Sequence, residues 1–487
     1  INEAGYEIVN HYTKNYKEKS TSGLKAIWIT PLRALSIEIK QSAEKMIIDM
    51  EIPLTVGIRT SDTTTSERVK QKAKMPDLLI TTPESLQLLL ATKGYEKIFK
   101  NCEAIIVDEW HELLGTKRGV QMELALSRLK SIVPKLQLWG ISATIGNLSQ
   151  AQEVLFGVDQ NPDETVLVSA HINKKIRVES ILPDKMETYP YRGHMGLHLL
   201  DQVAQIIRES KTTLVFTNVR SACELWFQSL LEKYPEFAGV MAVHHGSISR
   251  ETRHWVENAI RNEELKVVVC TSSLDLGVDF APVESIVQIG SPKGVARFLQ
   301  RAGRSGHQPG KESRIYFLAT YAMELIEASA LRKAVALGLV EDRMPYLNSW
   351  DVLIQYLNTL AVSDGFYPDI IFKEVQSTFC FQHITKEEWQ WILNFIVYGS
   401  QSLQAYDEYK KVELDPDGLI IIRNRRTAMH HRRQIGTIVG DATMLVKYLS
   451  GGYIGSIEES FASKLKPAMV KPLLFRLIYK ILPSPDK

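Results

Sequence analysis

Seven short apolar runs, rich in β-branched residues, recur along the first two-thirds of the chain, and polar or turn-forming residues follow each of them. They cover residues 26–29, 78–80, 104–107 and 136–140 in a first series, and 213–216, 267–270 and 285–289 in a second. Helical patterns lie between the runs. Strands that are covered by helices on both faces of a parallel sheet have this composition and length. The alternation therefore predicts an α/β fold with parallel sheets.

A polar, proline-containing stretch at residues 157–165 separates the two series. We therefore expect two doubly wound domains, one over residues 1–160 and one over residues 161–335. In such sheets, ligands gather at the carboxyl ends of the strands. The candidate functional residues all follow a predicted strand, which is a regularity of the chain that depends on no family likeness.

The character of the sequence changes after about residue 330. Helical patterns dominate residues 323–360 and 386–397, which predicts a small helical or winged-helix domain over residues 336–425. From about residue 419 the sequence becomes rich in β-formers and glycine. We expect this part, residues 426–487, to be the start of a β-rich domain that is incomplete.

The bulk composition excludes some classes of protein. Of the 487 residues, 45% are hydrophobic and 23% are charged, with a formal net charge of +2, which is the balance of a globular protein. The chain has no run of about 18 apolar residues, so neither a membrane-spanning helix nor a membrane partner is expected. Its four cysteines lack metal-ligand spacing, and this usage favours a reducing, cytoplasmic location.

Two adjacent carboxylates, Asp108 and Glu109, follow the run at residues 104–107, and His111 comes shortly after them. Neighbouring side chains of an extended chain point in different directions. One carboxylate can therefore hold Mg²⁺ through water while the other orients and deprotonates an attacking water molecule. The pair indicates hydrolysis of a magnesium-bound nucleotide. A solvated acidic turn at the end of a strand explains it about equally well.

Basic residues follow the last run of the second series. Gln300, Arg301 and Arg304 lie on a predicted helix, and the two arginines, three positions apart, share one face of it. A guanidinium group that reaches a γ-phosphate across a domain cleft stabilises the charge of phosphoryl transfer. A basic surface helix is the alternative.

Hydroxyl-rich and glycine-containing turns suggest phosphate contacts. The loop after residues 267–270 begins at Thr271 and contains Gly277 and Asp279, and small hydroxyl groups and N–H groups suit phosphate. Two threonine–proline pairs, Thr30-Pro31 and Thr82-Pro83, stand where helices are predicted to begin, with proline at the first helical position. Helix capping alone explains these pairs. The Ser142-Ala143-Thr144 segment is a weaker signal.

The order of these segments is more specific than any one of them. Thr-Pro-x-Arg-Ala-Leu, Thr-Thr-Pro-Glu, Asp-Glu-x-His, Ser-Ala-Thr, Phe-Thr-Asn, Thr-Ser-Ser-Leu-Asp-Leu-Gly-Val-Asp and Gln-Arg-Ala-Gly-Arg-Ser-Gly follow one another between residues 30 and 307. This series resembles that of the superfamily-2 DExH-box nucleic-acid helicases. The sequence around Asp108 to Gln121, and the tail around residues 438–461, resemble the Lhr (large helicase-related) family. Within it, the likeness is to the bacterial ligase-associated DExH-box DNA helicases.

The resemblance implies two RecA-like motor domains, a winged helix and a family-specific β-rich domain, with ATP and Mg²⁺ as cofactors. It implies ATP-driven 3′-to-5′ movement on single-stranded DNA and a role in DNA repair. The implied partners are single-stranded or partly duplex DNA, with RNA–DNA hybrid as a further substrate, and a DNA ligase and a nuclease. The implied location is the bacterial cytoplasm, at the nucleoid.

The resemblance also implies roles for individual residues. Asp108 would hold Mg²⁺, Glu109 would be the catalytic base, and His111 would couple hydrolysis to the cleft. The nucleotide would be contacted or sensed by Arg301, Arg304, Gln300, Gly277, Asp279, Ser142 and Thr144. The tracking strand would be contacted by Thr30, Pro31, Arg33, Thr82, Thr217, Asn218 and Thr271.

One expected segment is not found: the sequence contains no Gly-x-x-x-x-Gly-Lys-Thr phosphate-binding loop. We therefore expect a fragment of the motor core, impaired in ATP hydrolysis by itself, and we interpret the sequence after Pro467 as an unrelated tail. Two alternatives stay open. One is an RNA helicase of the same superfamily, because contacts to the strand backbone distinguish DNA from RNA poorly. The other is a non-catalytic nucleic-acid-binding fragment.

Overall fold

The computed structural model of the protein describes residues 23–169, 175–183, 195–275, 283–305, 312–399, 412–435, 443–447 and 453–458. The chain divides into two compact units, residues 1–432 and residues 433–487. The first unit contains both parallel sheets and the helices that cover them. No helix among the described residues is both long enough and apolar enough to span a bilayer.

The first sheet has five parallel strands in the order β2-β3-β1-β4-β5. They are β1 (Ala26–Ile29), β2 (Val56–Arg59), β3 (Leu78–Thr81), β4 (Ala104–Val107) and β5 (Gln137–Gly140). The central strands β1 and β4 are buried along their whole length, as expected where helices cover both faces. Their register pairs Ile29 with Val107, so the carboxyl ends of both strands meet at one edge.

Helices connect and cover the strands of the first sheet. They are α1 (Arg33–Asp49), α2 (Thr65–Ala73), α3 (Pro83–Leu90), α4 (Tyr95–Phe99), α5 (Trp110–Leu113), α6 (Lys117–Ile132) and α7 (Leu148–Phe156). The sequence marks several of their starts. Thr64 caps α2 in a capping box with Glu67, and the hydroxyl of Thr116 accepts from the backbone N–H of Gly119 in α6.

The two threonine–proline pairs behave differently. Helix α3 begins at Pro83 with Thr82 at its N-cap position, as predicted. Helix α1 begins at Arg33, with Leu32 at the N-cap, so the prediction that Pro31 is the first helical residue is wrong. The Thr30 hydroxyl contacts the Leu32 backbone N–H at 3.4 Å instead, in a turn that precedes the helix.

The second sheet has six parallel strands in the order β6-β11-β10-β7-β9-β8. They are β6 (Ile176–Ile181), β7 (Thr213–Phe216), β8 (Met241–His244), β9 (Val267–Cys270), β10 (Ser285–Ile289) and β11 (Ser313–Leu318). The helices around them are α8 (Leu200–Glu209), α9 (Arg220–Lys233), α10 (Arg250–Arg261), α11 (Val295–Gly303) and α12 (Ala322–Leu337). The two parallel sheets confirm the predicted α/β class.

The helical prediction for residues 323–360 is wrong in its middle. Helix α12 ends at Leu337, and Gly338 follows with a φ of +64°, a conformation that favours glycine and ends helices. Residues 339–349 are not helical. We call residues 338–349 the linker, and it lies against both sheet domains.

A winged-helix arrangement follows the linker. Its helices are α13 (Trp350–Val362), α14 (Pro368–Gln376) and α15 (Lys386–Tyr398), and its antiparallel strands are β12 (Glu413–Leu414) and β13 (Ile420–Ile421). A further bridge joins Phe366 to Ile420. Helix α16 (Arg425–Gln434) comes next. Helices followed by a short β-hairpin confirm the predicted winged helix.

The second unit is described in two segments only. Strand β14 (Thr443–Lys447) pairs in antiparallel fashion with β15 (Tyr453–Glu458), with an irregularity at Val446 and Lys447. These strands agree with the β-rich character that the sequence predicts there.

Candidate active site between the two sheet domains

The acid pair lies at the carboxyl end of β4. Asp108 is 7% exposed, and its Oδ2 accepts a hydrogen bond from the indole N–H of Trp28 at 3.2 Å. Burial raises the pKa of Asp108, and the hydrogen bond from Trp28 acts against that rise. Glu109 has a φ of +50° and a ψ of +44°, in the left-handed region. Such strain in a non-glycine residue is typical of functional sites.

The carboxylate of Glu109 experiences charges from both sheet domains. Its pKa is raised to about 7, first by burial and then by the negative charge of Asp108. The positive charge of Arg304, which follows α11 in the second domain, lowers it. The charges of the acid pair and of Arg304 therefore act on one another, although they belong to different domains.

His111 bridges the same cleft. Its ring is 1% exposed, and Nδ1 accepts from the backbone N–H of Ala143 at 3.1 Å. The neutral ring therefore carries its proton on Nε2, and the side-chain amide of Gln300, 2.5 Å away, accepts this proton through its oxygen, because two N–H groups cannot bond to each other. Burial, and after it the charge of Arg343, lowers the pKa of His111 to about 4, so the ring is neutral at pH 7.

The two arginines on the second domain have different surroundings. Arg301 is 1% exposed and makes two hydrogen bonds to the Asp275 carboxylate, at 2.7 and 3.0 Å. It also donates to the Gln288 side chain and lies over the Phe216 ring. Arg304 donates to the backbone oxygen of Asp275 at 3.0 Å, and its charge acts on Glu109. Arg301 is thus held inside its own domain, whereas the charge of Arg304 acts on Glu109 of the other domain.

The predicted nucleotide-sensing residues are only partly described. Ser142 and Thr144 are exposed in the loop after β5, and the Ser142 hydroxyl lies 3.4 Å from Nδ1 of His111. Gln300 is brought to His111, as given above. Gly277 and Asp279 lie outside the described residues.

The residues predicted to contact the tracking strand all lie near the carboxyl ends of strands, but their exposure differs. Arg33 and Asn218 are exposed, Thr271 is half-buried, and the others, Thr30, Pro31, Thr82 and Thr217, are buried. Arg33 donates to Asp62 at 2.9 Å, and Asn218 donates to the backbone oxygen of Ser291 at 2.7 Å. Of these residues, Arg33 and Asn218 are therefore the ones exposed at the surface of the described structure, whereas the threonines Thr30, Thr82 and Thr217 are buried in their loops.

Three functional contacts were missed by reasoning from the sequence. The indole N–H of Trp28, within β1, holds the Asp108 carboxylate. Arg118 donates to the backbone oxygen of Pro31 at 2.9 Å and to Glu84 at 2.6 Å, which ties the two threonine–proline loops together. Asp275 anchors Arg301. A tryptophan in a strand and an arginine at a helix start gave no spacing signal that could have identified them.

The acid pair fits a magnesium-bound nucleotide. One buried and one partly buried carboxylate, both with raised pKa values, form a site with excess negative charge, and a hard divalent cation would relieve it. Mg²⁺ is commonly held by one or two carboxylates together with substrate phosphates. Asp108 and Glu109 supply that kind of donor set.

Comparison with known protein families agrees with this geometry. The DEAD/DEAH box helicase family matches residues 5–153, and the helicase conserved C-terminal domain matches residues 197–308. The winged helix domain of large helicase-related proteins matches residues 333–473. A protein named ATP-dependent helicase Lhr-Core protein 2, from Thermococcus barophilus, is 32% identical over 91% of this chain and 53% of its own length.

The chain belongs to the Lhr family of superfamily-2 helicases. A protein named Lhr helicase/uracil glycosylase, from Escherichia coli, is 30% identical over 75% of the chain and 27% of its own length. The chain spans about half the length of the Lhr-Core relatives it matches. The likeness to the ligase-associated branch of the family stays a prediction.

The Lhr fold is also seen among solved structures. A structure of Mycobacterium smegmatis helicase Lhr bound to ssDNA and AMP-PNP has a TM-score of 0.76 to this chain, at 26% identity. It covers 90% of this chain, and the chain covers 57% of it. The DUF1998 helicase MrfA bound to DNA has the same fold, with a TM-score of 0.66 at 19% identity. These likenesses confirm the two RecA-like domains followed by a winged helix.

Proposed function

We propose that this chain carries the catalytic centre of a nucleic-acid-stimulated ATPase, and that the protein uses it to move 3′-to-5′ along single-stranded DNA and to unwind duplexes. One observation carries the ATPase proposal. His111, which follows the acid pair in the first domain, contacts Gln300 of the second domain at 2.5 Å, and the charge of Arg304, on the same segment as Gln300, acts on Glu109. A hydrolytic site that is shared between two domains is complete only when the cleft is closed.

Each residue has a role that its surroundings support. Asp108, held by Trp28, would bind the Mg²⁺ of a bound nucleotide. Glu109 would orient and deprotonate the attacking water, for which a pKa near 7 is suitable. Arg304 would stabilise the charge that develops on the transferred phosphoryl group. Bound ATP supplies the phosphoanhydride bond that is cleaved.

Arg301 has a positioning role in this proposal. Its bidentate pair with Asp275 is buried and fixes α11 to the loop after β9. A rigid helix presents Arg304 in one orientation, which favours transition-state stabilisation because less reorganisation is needed.

The contact between His111 and Gln300 would couple hydrolysis to the opening of the cleft. His111 also accepts from Ala143, within the Ser142–Thr144 loop, so a change at the acid pair reaches both that loop and the second domain. Alternate closure and opening would change the grip on the strand through Arg33, Asn218 and the loops around Thr30, Thr82, Thr217 and Thr271. Because phosphate contacts release counterions, strand binding should weaken as salt rises.

The ATPase proposal is tested with the full-length protein and single-stranded DNA. We expect Glu109→Gln to reduce kcat for ATP by about a hundredfold or more and Arg304→Ala by about a thousandfold. Glu44→Gln, on the surface of α1, and Arg314→Ala, at an exposed position of β11 in the second domain, serve as matched controls and should leave kcat within about twofold. Turnover near the unmutated level in either site variant would refute the proposed centre.

DNA is the proposed substrate because the Mycobacterium smegmatis Lhr, at 26% identity, was solved with ssDNA bound. Unwinding of matched DNA, RNA and hybrid duplexes with a 3′ tail tests this choice. Unwinding of RNA alone would favour the RNA helicase alternative. A role in DNA repair, with a DNA ligase and a nuclease as partners, rests on the resemblance set out above. Co-purification of either enzyme with the tagged protein, after nuclease treatment, tests that part.

A further inference from the structure

The linker contacts both sheet domains at the cleft. On the first domain, the backbone N–H of Gly146 donates to the backbone oxygen of Glu341 at 3.2 Å. Asn147 makes two further bonds to the backbone of Arg343, at 2.9 and 3.0 Å. These residues follow the Ser142–Thr144 loop directly, so the linker is bonded to the loop that holds His111.

On the second domain, the linker caps the helix that leads to Arg304. The carboxylate of Glu341 accepts from the backbone N–H groups of Val295, at 3.0 Å, and Ala296, at 3.0 Å, at the start of α11. A carboxylate at this position satisfies two N–H groups that have no partner within the helix and stabilises the positive end of its dipole. Glu341 therefore fixes the start of the helix whose other end leads into Arg304.

Glycines on both domains make room for the linker. A Cβ atom at Gly294 would lie 2.3 Å from Oε1 of Glu341, and one at Gly146 would lie 2.6 Å from the backbone oxygen of Val340. A Cβ atom at Gly115 would lie 2.7 Å from the backbone oxygen of Met344. Both Gly294 and Gly115 have positive φ values. The close approach of the linker is thus built into three separate loops of the two domains.

We propose that residues 340–343 of the linker are a positioning element for the ATPase centre, in which Glu341 sets the orientation of α11 relative to the Ser142–Thr144 loop and so places Arg304 at the acid pair. This inference rests on the role proposed for Arg304. The linker also leads directly into α13, so the same segment connects the closed cleft to the winged-helix domain. Glu341 touches no reacting atom in this arrangement and acts through Arg304.

The first test measures the cap itself and needs no activity. Hydrogen exchange of a peptide that contains Val295 and Ala296 is followed by mass spectrometry in the full-length protein. We expect Glu341→Ala to accelerate exchange there by about fivefold, since the two bonds are lost. The matched control is Glu251→Ala, which removes an exposed carboxylate from the first turn of α10 in the same domain and should leave the exchange unchanged. Equal protection of the peptide in Glu341→Ala and in the unmutated protein would overturn the proposal.

The second test separates positioning from general destabilisation. We expect Glu341→Ala to reduce kcat of DNA-stimulated ATP hydrolysis by about fivefold, with KM for ATP and the melting temperature little changed. In an Arg304→Ala background the same change should have less than about a twofold effect, because Glu341 acts through that residue. A full fivefold loss in that background would overturn the positioning role. Absence of stimulated turnover in the unmutated protein would instead refute the proposed function, and the exchange test would still stand.

Discussion

The first sheet domain meets its two neighbours through different kinds of interface. Its contact with the winged-helix domain runs along α6 and includes three pairs of polar groups. Arg128 pairs with Glu374 at 2.8 Å, Glu123 accepts the backbone N–H of Cys380 at 2.9 Å, and Gln121 bonds to Gln355 at 2.8 Å. Its contact with the second sheet domain contains two adjacent carboxylates, of which Asp108 raises the pKa of Glu109 through its charge, and the short approach of His111 to Gln300.

The difference suggests which interface stays closed. In the first interface, Arg128 pairs with the buried carboxylate of Glu374, and Glu123 accepts from the Cys380 N–H, so separating the two domains leaves charges and an N–H group unpaired. In the second, the acid pair carries excess charge that a bound cation and Arg304 would relieve. We infer that the winged-helix domain moves together with the first sheet domain, and that the cleft to the second sheet domain is the one that opens.

The largest effect on stability is expected in the closed interface. Glu374 and Arg128 are 8% and 12% exposed. Glu374→Ala removes the buried carboxylate and should lower the free energy of unfolding by about 3 kcal/mol, the lower end of the range for a broken buried pair, because Tyr95 and Glu96 still contact Arg128. Chemical denaturation measures this. The double variant Arg128→Met with Glu374→Leu should recover most of the loss, and a loss as large as that of Glu374→Ala would contradict the explanation.

The same interface should make stability depend on pH. Burial raises the pKa of Glu123 to about 8, against an ordinary value of 4.5. Between pH 5 and pH 8 the unfolded chain has therefore lost a proton that the folded chain retains, and stability falls as the pH rises, by at most roughly 1.4 kcal/mol per pH unit. Glu123→Gln keeps an acceptor for the Cys380 N–H and should flatten this dependence. If the free energy of unfolding depended on pH in the same way in Glu123→Gln and in the unmutated protein, Glu123 would not be the group responsible.

In the cleft, removing a charge should stabilise the fold. Burial and the charge of Asp108 raise the pKa of Glu109. The ionised form, which predominates above pH 7, therefore lowers the free energy of unfolding, and protonation restores this free energy as the pH falls. Glu109→Gln should therefore raise the free energy of unfolding at pH 8 by about 2 kcal/mol, and the gain should disappear near pH 5. If Glu109→Gln instead lowered the free energy of unfolding at pH 8, burial and Asp108 would not disfavour the ionised carboxylate of Glu109.

The smallest effect is expected at the exposed rim of the closed interface. Lys117 pairs with Asp351 at 2.6 Å, but the two side chains are 32% and 53% exposed. Solvent screens such a pair, so Lys117→Ala should change the free energy of unfolding by less than about 0.5 kcal/mol. A loss comparable to that of Glu374→Ala would mean that the interface depends on its rim and not on its buried pairs.

The sequence predicted the centres of the sheets better than their edges. The seven apolar runs correspond to strands β1, β3, β4, β5, β7, β9 and β10, within one residue at each end. Three of the four strands that were not identified, β2, β6 and β8, lie at sheet edges. Strands β2 and β6 are largely only partly buried, so they carry no continuous apolar run.

The candidate site was predictable where its chemistry is local and not where it depends on distant contacts. Asp108, Glu109 and Arg304 are identified by their residue type and their position after a strand or on a helix. The linker acts through backbone oxygens and one carboxylate, and its apolar residues gave a helical pattern that Gly338 ends. The pairing of Arg301 with Asp275 joins residues 26 positions apart, and no spacing rule links them.

The central claim is that Glu109 and Arg304 act as one centre although they belong to different domains. A double-mutant cycle of DNA-stimulated kcat tests it most directly, with Glu109→Gln, Arg304→Ala and the double variant in the full-length protein. Groups that act in one catalytic step are strongly non-additive. We predict that the double variant is within about fivefold of the slower single variant. Losses that multiply fully in the double variant would contradict the shared centre.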